Sequence, residues 1–248
     1  MNVAVIGCGN MGGAIARGLA GKDAKVQVLV TSHDGRTARA LAAEEPALRA
    51  VSNNAEAVHE ADVIVIAVKP WLVKDVLDDV QDELTGKTVL SVAAGVEDPR
   101  IAVYVMPNIA AQYAQSMTFI QLAADVEAVR TAIDLFGRLG RTVVVEPRQM
   151  QAGMMLAGCG IAYVMRFVRA MQQAGVEMGF RPSAARDVAI QTLMGAGAVL
   201  TETGLHPEEA IDRVTTPGGY TIKGLNELDH AGFTSAVIRA MKAGLKKD

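Results

Sequence analysis

The sequence predicts an α/β fold in which an N-terminal doubly wound, mainly parallel sheet is followed by an all-α domain. Short runs rich in β-branched residues alternate with helical segments as far as Glu146. Such alternation is typical of a parallel sheet built from right-handed βαβ units. Pro147 follows the last predicted strand, and the sequence after it has a helical pattern. The predicted domains are therefore residues 1–147 and 148–248.

The elements of the first domain follow from local patterns. The apolar run Val3–Ile6 suits a strand buried on both faces, and the helical segment 71–84 spaces its apolar residues four apart. The predicted strands span residues 3–6, 25–30, 61–68, 87–92, 101–105, 117–122 and 141–146. The predicted helices span residues 14–20, 37–45, 53–60, 71–84 and 125–139.

The second domain has no predicted strand. Residues 149–179 can hold one or two helices, with glycines 158 and 160 at a kink or a close approach. A helix over 182–203 begins at a proline and ends before Gly204, another begins near His206, and a last one covers 234–247. Proline at a helix start and glycine after its end are the expected boundary residues.

Composition argues against several classes of protein. The formal net charge is −3, whereas nucleic-acid binding needs a basic surface. Cys8 and Cys159 have no metal-ligand spacing and the histidines lie in unrelated segments, so we expect no metal site. We expect both cysteines to be reduced in a cytoplasmic protein. The longest low-charge run, residues 152–165, has about 14 residues, fewer than the ~18 of a membrane span, so we expect no membrane segment.

A glycine-rich turn connects the first predicted strand to the first helix. Gly7, Gly9 and Gly12 have the G-x-G-x-x-G spacing. In this motif the first glycine allows a tight turn, the second lets a pyrophosphate approach, and the third lets the helix pack closely. The helix N-terminus then offers N–H groups to the phosphates. We predict a Rossmann-type dinucleotide site that includes Asn10 and Met11; the alternative is a sharp turn that binds nothing.

The segment Thr31–Arg36, after the second predicted strand, bears on the choice of cofactor. An enzyme that uses NAD usually places an acidic residue here for the ribose hydroxyls. Thr31 and Ser32 end the strand, Asp34 follows, and Arg36 lies two residues further on. Hydroxyls and an arginine suit the 2′-phosphate of NADPH, whereas Asp34 favours NADH. We predict NADPH, held by Ser32 and Arg36, with NADH possible; the alternative is a solvated turn.

Three further loops follow predicted strands at their carboxyl ends, where ligands bind in open α/β sheets. Their small residues leave room for a nicotinamide ring. Lys69 can equally be a solvated lysine, and Asn108 an ordinary turn residue. The predicted cofactor residues are Ala67, Val68, Lys69, Pro70, Ala94 and Gly95, and Asn108 is a predicted substrate residue.

A second glycine-containing turn lies in the helical domain. Residues 215–219, TTPGG, have little side-chain cover and precede a helix start. Such a turn can bind a carboxylate through backbone N–H groups; the alternative is a plain interhelical turn. The predicted substrate residues are Thr216, Pro217, Gly218 and Gly219, with the Thr221 hydroxyl beside them.

The sequence resembles the pyrroline-5-carboxylate reductase family over nearly its whole length. The most specific shared motif is VTTPGGYTIKGL, residues 214–225, which is similar to the family's VTSPGGTTIxGL signature. The other shared motifs are GCGNMGGA at 7–14, AVKP at 67–70, AAGV at 93–96 and MPN at 106–108. The glycine loop alone is common to many dehydrogenases.

The resemblance implies an NAD(P)H-dependent oxidoreductase that reduces the cyclic imine 1-pyrroline-5-carboxylate to L-proline, the last step of proline biosynthesis. It implies a helical domain that intertwines with a second subunit, and therefore a homodimer or a larger homo-oligomer. By position, the resemblance assigns the substrate carboxylate to backbone N–H groups of Gly218 and Gly219. It assigns to Thr221 a hydrogen bond to the ring nitrogen and hence a catalytic role.

Two alternative functions stay open at this point. A β-hydroxyacid dehydrogenase also combines a Rossmann domain with helices, but it needs a lysine in the first long helix of the second domain. Residues 149–179 contain no lysine. The other alternative is a non-catalytic dinucleotide-binding regulator, because the sequence departs from the family pattern at Asp34, Tyr104 and Tyr220.

Overall fold

The computed structural model describes residues 1–20 and 26–245. By contacts the chain divides into two compact units, Met1–Gly158 and Cys159–Asp248. The first unit contains a sheet with helices on both faces. In the second unit all regular structure in the described residues is helical.

The sheet of the first unit has the strand order β3-β2-β1-β4-β5-β6-β7-β8. The strands are β1 Asn2–Ile6, β2 Gln27–Thr31, β3 Leu48–Ala50, β4 Val63–Ile66, β5 Thr88–Ser91, β6 Val103–Met106, β7 Ser116–Gln121 and β8 Gly140–Val145. Neighbouring strands from β3 through β6 are parallel, whereas β7 is antiparallel to β6 and parallel to β8. The order reverses between β1 and β4, so the carboxyl ends of these two strands form the switch point at which such sheets bind ligands.

The helices of the first unit connect successive strands, except for the last helix, which follows β8. They are α1 Asn10–Leu19, α2 Arg36–Glu44, α3 Asn54–Glu60, α4 Val73–Asp79, α5 Val126–Gly137 and α6 Met150–Gly153. Short 3₁₀ helices lie at Pro70–Leu72, Gln81–Glu83, Ile109–Tyr113 and Pro147–Gln149, and a π-helical turn covers Met154–Cys159.

Strand β1 lies at the centre of the core. Val3 and Val5 belong to an apolar cluster with residues of α1, α2 and α5, and Ala4 and Ile6 belong to a second cluster with residues of α3 and α4. All four side chains are buried. The prediction that this run forms a strand buried on both faces is confirmed.

The second unit consists of α7 Gly160–Glu177, α8 Pro182–Thr203, α9 Pro207–Asp212, α10 Tyr220–His230 and α11 Phe233–Lys242. Helices α7 and α8 approach closely because Gly175 faces Ala185: a Cβ on Gly175 would lie 2.9 Å from the Cβ of Ala185. The buried residues of α7 and α8 are all small, and α9, α10 and α11 have none. Large apolar side chains of this unit are therefore exposed in the single chain.

The sequence patterns identify most elements but miss some details. They do not predict β3, which has only three residues and pairs with β2. Helix α1 begins at Asn10 rather than residue 14, and the predicted helix 71–84 is divided between α4 and two 3₁₀ helices. The first residue of the predicted second strand, residue 25, and the last two of the predicted final helix, 246 and 247, lie outside the described residues.

The end of the sheet and the division between the compact units do not coincide. Pro147 begins a 3₁₀ helix whose N-cap, Glu146, forms a capping box with Gln149. The following residues pack on the sheet, since a Cβ on Gly153 would lie 2.8 Å from the Phe119 ring. The predicted boundary after residue 147 marks the end of the sheet, and the units divide by contacts after Gly158.

The helical stretch of residues 147–177 is long and apolar enough to cross a membrane by length and composition, and 11% of its apolar window is buried in the single chain. It exceeds the low-charge run expected from the sequence because the helix continues past isolated charged residues. A large exposed apolar face also marks surfaces that bind another protein chain. Length and composition alone therefore do not distinguish a membrane span from a surface that binds another chain.

Candidate functional site

Three glycines shape the turn between β1 and α1. Gly7 has a φ of 98°, a left-handed conformation, and the N–H groups of Gly7 and Cys8 donate to the Thr31 carbonyl at 3.2 and 3.0 Å. A Cβ on Gly12 would lie 2.1 Å from the carbonyl oxygen of Gly7, so a side chain does not fit. A Cβ on Gly9 would meet nothing within 4 Å. The backbone at Gly9 therefore faces open space, as a close approach of phosphate requires.

Helix α1 starts directly after this turn, with Asn10, Met11 and Gly12 in its first turn. Its N-cap, Gly9, provides no side-chain cap, and the first turn contains no acidic residue. The free N–H groups and the positive end of the helix dipole are thus available to an anion. This arrangement fits a pyrophosphate.

A cavity of about 540 Å³ lies beside the turn, at the carboxyl ends of β1 and β2. This volume lies in the range of cofactor and small-ligand sites. Three of the predicted cofactor residues, Gly7, Ser32 and Val68, line it. The other predicted cofactor residues do not.

Several cavity-lining residues were not predicted. Thr31 lies at the end of β2, and its hydroxyl donates to Asn54 Oδ1 at 2.7 Å. Asn53, the N-cap of α3, accepts from the Glu56 N–H at 2.8 Å. These asparagines follow β3, whose carboxyl end lies beside that of β2. The sequence patterns miss β3, and so they give no reason to place Asn53 and Asn54 at this edge. The other unpredicted lining residues are Ile6, His33, Ser52, Ala55, Leu72, Asp75, Val76, Asp79 and Val80.

The loops after β4 and β5 lie at the same edge of the sheet. Ala67 N–H donates to the Ile6 carbonyl at 2.9 Å, which keeps the loop of residues 67–70 beside the glycine turn. Lys69 and Pro70 are exposed. Ala94 and Gly95 are also exposed, and Gly95 has a left-handed φ of 70°. These residues flank the switch point without lining the cavity.

The predicted 2′-phosphate ligands have partners within the protein. Ser32 Oγ accepts from the Ala38 N–H at 3.1 Å. Arg36 Nε donates to Asp34 Oδ2 at 2.6 Å, and Arg36 N–H donates to Asp34 Oδ1 at 3.0 Å. These hydrogen bonds hold the pKa of the Asp34 carboxyl below its ordinary value. The guanidinium predicted to hold a phosphate is therefore bound to Asp34.

Asn108 lies in a different environment from an open substrate site. Its side chain is only 6% exposed. Asn108 Oδ1 accepts from the Ala110 N–H at 3.0 Å, and Nδ2 donates to the Ala157 carbonyl at 3.4 Å. Its N–H donates to Ser116 Oγ at 3.0 Å. Asn108 thus connects the 3₁₀ helix Ile109–Tyr113 to the π-helical turn.

In the second unit, Thr216–Gly219 form a tight turn before α10. Gly218 has a left-handed φ of 71°, and a Cβ on Gly219 would lie 2.5 Å from Thr216 Oγ1. The Gly219 N–H donates to the Thr216 carbonyl at 2.9 Å, and Pro217 has no N–H. Of the two N–H groups expected to face a carboxylate, that of Gly219 is therefore used within the turn.

Helix α10 supplies further donors. Its N-cap, Gly219, provides no side-chain cap, and its first turn contains no acidic residue. Tyr220 and Thr221 occupy the first two helical positions, and both are exposed. The N–H groups of this first turn lie at the positive end of the helix dipole, which suits a carboxylate. The Thr221 hydroxyl lies on the same turn.

The described residues contain no group of three histidine, cysteine or acidic side chains able to hold a metal ion. A doubly wound sheet, an uncapped glycine turn at its switch point, a cavity beside that turn and a following helical unit define a dinucleotide-dependent oxidoreductase.

Comparison with known proteins gives the family. The model described as "Pyrroline-5-carboxylate reductase dimerisation" matches residues 147–248. The model described as "NADP oxidoreductase coenzyme F420-dependent" matches residues 2–95. The chain belongs to the pyrroline-5-carboxylate reductase family.

Individual proteins that are similar to this chain belong to the same family. The chain is 37% identical to pyrroline-5-carboxylate reductase 1 of Dictyostelium discoideum over 96% of its own length and 48% of that protein, so it spans about half of this relative. It is 32% identical to pyrroline-5-carboxylate reductase 2 of the same organism, over 99% of the chain and 91% of the relative. The crystal structure of Plasmodium falciparum pyrroline carboxylate reductase with NADP bound has the same fold, with a TM-score of 0.85 at 24% identity, covering 98% of this chain and 95% of that one.

Proposed function

We propose that the protein reduces 1-pyrroline-5-carboxylate to L-proline with a nicotinamide nucleotide. The observation that carries this proposal is the Thr216–Gly219 turn before α10, in a chain whose first unit has a dinucleotide turn. Family membership supports the same reaction, since relatives that this chain covers almost completely are pyrroline-5-carboxylate reductases.

The first unit would hold the cofactor. The free N–H groups at the start of α1 suit the pyrophosphate, and the cavity lined by Gly7, Ser32 and Val68 suits the adenosine ribose. The small residues after β4 and β5 leave space for the nicotinamide, which supplies the hydride when bound. We propose NADPH as the preferred cofactor, supported by the NADP oxidoreductase model that matches residues 2–95 and by the NADP bound to the Plasmodium enzyme.

The second unit would hold the substrate. The Gly218 N–H and the first turn of α10 would bind the carboxylate, and the Thr221 hydroxyl would hydrogen-bond the ring nitrogen. The carbon of an imine that is protonated on nitrogen is already a strong electrophile. The chain therefore needs to bind and orient the reactants, and no strong base is needed because no proton is removed when hydride adds to that carbon.

A homo-oligomer follows from the dimerisation model that matches the second unit. We propose a homodimer as its smallest form. The exposed apolar side chains of α7 and α8, such as Phe167, Val188 and Met194, form a surface that a second copy would cover. The same contact between subunits would cover the apolar stretch of residues 147–177. We therefore still predict a cytoplasmic protein that binds neither a membrane nor nucleic acid.

The test is NADPH oxidation with 1-pyrroline-5-carboxylate, followed at 340 nm, with L-proline identified as the product. A β-hydroxyacid with NADP+ is the comparison, and it should give no NADPH formation because no lysine lies between residues 149 and 179. Failure of imine-dependent oxidation with both NADPH and NADH would contradict the proposal. Sedimentation of the same sample should give at least twice 26.1 kDa.

A further inference from the structure

An acidic and a basic side chain at the start of α2 are bound to each other beside the cofactor cavity. Asp34 accepts from both the backbone N–H and the Nε of Arg36, at 3.0 and 2.6 Å. Residues 31–33, immediately before this pair, line the cavity. The pair lies on the segment at which Rossmann enzymes distinguish the 2′-phosphate of NADPH from the 2′-hydroxyl of NADH.

Both groups of the pair affect that choice, in opposite directions. A 2′-phosphate needs a cation, and Arg36 is the cation that the sequence offers first after β2. Its Nε is directed to Asp34, so a phosphate must displace a carboxylate to gain that donor. A free ribose 2′-hydroxyl, by contrast, can donate to a carboxylate. Asp34 therefore opposes NADPH and favours NADH.

The pair can be displaced because it is exposed. The Arg36 side chain is 83% exposed and that of Asp34 is 40% exposed. Exposed ion pairs are weak and are screened by salt. A 2′-phosphate, with its larger charge, competes for Arg36, so the preference for NADPH is reduced rather than reversed.

Arg39 provides an internal comparison. It lies one turn further along α2, and its guanidinium is near Gly35, where a Cβ would be 3.0 Å from Nη1. Within the described part of the chain, no acidic side chain pairs with Arg39. It has the same charge as Arg36 on the same helix, without the contact to Asp34.

We propose that Asp34 limits the preference for NADPH by binding Arg36, and that this pair is a specificity determinant of the enzyme. The inference rests on the proposed function only in that the first unit binds a nicotinamide nucleotide. It explains why one short segment contains both an acidic residue, which favours NADH, and an arginine, which favours NADPH.

The test is the ratio of the dissociation constants of NADH and NADPH, measured by calorimetry on the full chain. This readout does not require turnover. Asp34→Asn should raise the ratio in favour of NADPH by about three- to tenfold, because one opposing charge is removed and Arg36 is released. Arg36→Ala should then lower the ratio by about tenfold in the Asp34→Asn background, and by a smaller factor in the wild-type chain.

Arg39→Ala is the matched control. Its effect on the ratio should be the same with Asp34 or Asn at position 34, because it does not contact Asp34. Equal coupling of Asp34 to both arginines would show only a long-range charge effect and would overturn the proposal. An unchanged ratio in Asp34→Asn would overturn it as well, while leaving the proposed reaction intact. If neither nucleotide binds any variant, the cofactor site itself is wrong and both proposals fall.

Discussion

The carbonyl oxygen of Gly7 and the α-carbon of Gly12 face each other so closely that a Cβ on Gly12 would lie 2.1 Å from that oxygen. Gly7 begins the turn out of β1, and Gly12 lies in the first turn of α1. The contact fixes where α1 begins relative to β1. It therefore sets the position of the N–H groups that we propose for the pyrophosphate.

Gly12→Ala should disrupt this contact. We expect a loss of about 1–3 kcal/mol in the free energy of unfolding, because the methyl group meets backbone that cannot move away. NADPH binding should be lost at the same time, since α1 shifts. Thermal unfolding and calorimetry measure the two effects.

Gly9→Ala is the matched control, because a Cβ there meets nothing within 4 Å in the protein. It should unfold near the wild-type temperature. It should nevertheless bind NADPH at least tenfold more weakly than the wild type does, since the methyl group occupies space needed by the phosphate. Equal stability of the two variants would contradict the role of Gly12.

Thr221→Ala should slow the reaction without affecting folding. The hydroxyl is exposed on the first turn of α10, so its removal leaves no cavity. A hydrogen bond to the ring nitrogen that strengthens as hydride arrives should appear in kcat, not only in KM. We expect kcat/KM to fall about five- to 150-fold, the equivalent of roughly 1–3 kcal/mol.

Tyr220→Ala is the control for Thr221. Tyr220 is 94% exposed and departs from the family signature, so its loss should change kcat far less. Thr221→Ser, which keeps the hydroxyl, should retain most of the activity. Full activity of Thr221→Ala would show that the hydroxyl does not contact the reacting nitrogen.

Asn108→Ala should destabilise the first unit. The change removes the cap on the 3₁₀ helix Ile109–Tyr113 and the bond to the Ala157 carbonyl. We expect a loss of about 1–3 kcal/mol, seen as a lower Tm at fixed protein concentration. Asn108→Asp keeps the acceptor for the Ala110 N–H, and its Tm should lie between those of the wild type and Asn108→Ala. If Asn108→Ala instead kept the wild-type Tm and raised only the KM for the imine, the predicted direct contact with substrate would be correct.

Cys8 should make stability fall at high pH. Burial raises the pKa of its thiol from 9.0 to about 11. The thiol ionises first in the unfolded chain, so its contribution is fully present below pH 9 and is lost as the pH rises through 11. Between these values the wild-type chain should lose about 2–3 kcal/mol more unfolding free energy than Cys8→Ala does. Urea unfolding at pH 8 and pH 11 measures the difference.

The strongly patterned parts of the fold could be predicted from the sequence. The run Val3–Ile6 is apolar at every position, which predicts a strand buried on both faces, and α8 is bounded as predicted by Pro182 and Gly204. Strand β3 could not be predicted, because three residues including Arg49 show no periodicity and the strand is defined by its pairing with β2. The helix predicted over 71–84 is too long because the four-residue apolar spacing continues through the 3₁₀ helices on either side of α4. Spacing alone does not distinguish these 3₁₀ turns from α-helix.

The candidate site was only partly predictable, for a related reason. The glycine spacing gives the turn between β1 and α1 directly. Asn54 enters the site through β3 and through the Thr31 hydroxyl, both of which are long-range relationships. The Arg36 side chain was identified, but its bond to Asp34 depends on side-chain geometry that a sequence does not contain.

The π-helical turn at Met154–Cys159 also bears on how this chain can vary in length. A π-helical turn holds one residue more than an α-helical path between the same ends. Deleting one residue from it can yield a regular α-helix, so the side chains that follow the deletion keep their orientation. The same deletion within α7 would rotate every later side chain of that helix by about 100°. Natural variants that differ by one residue in this region should therefore have gained or lost it within Met154–Cys159.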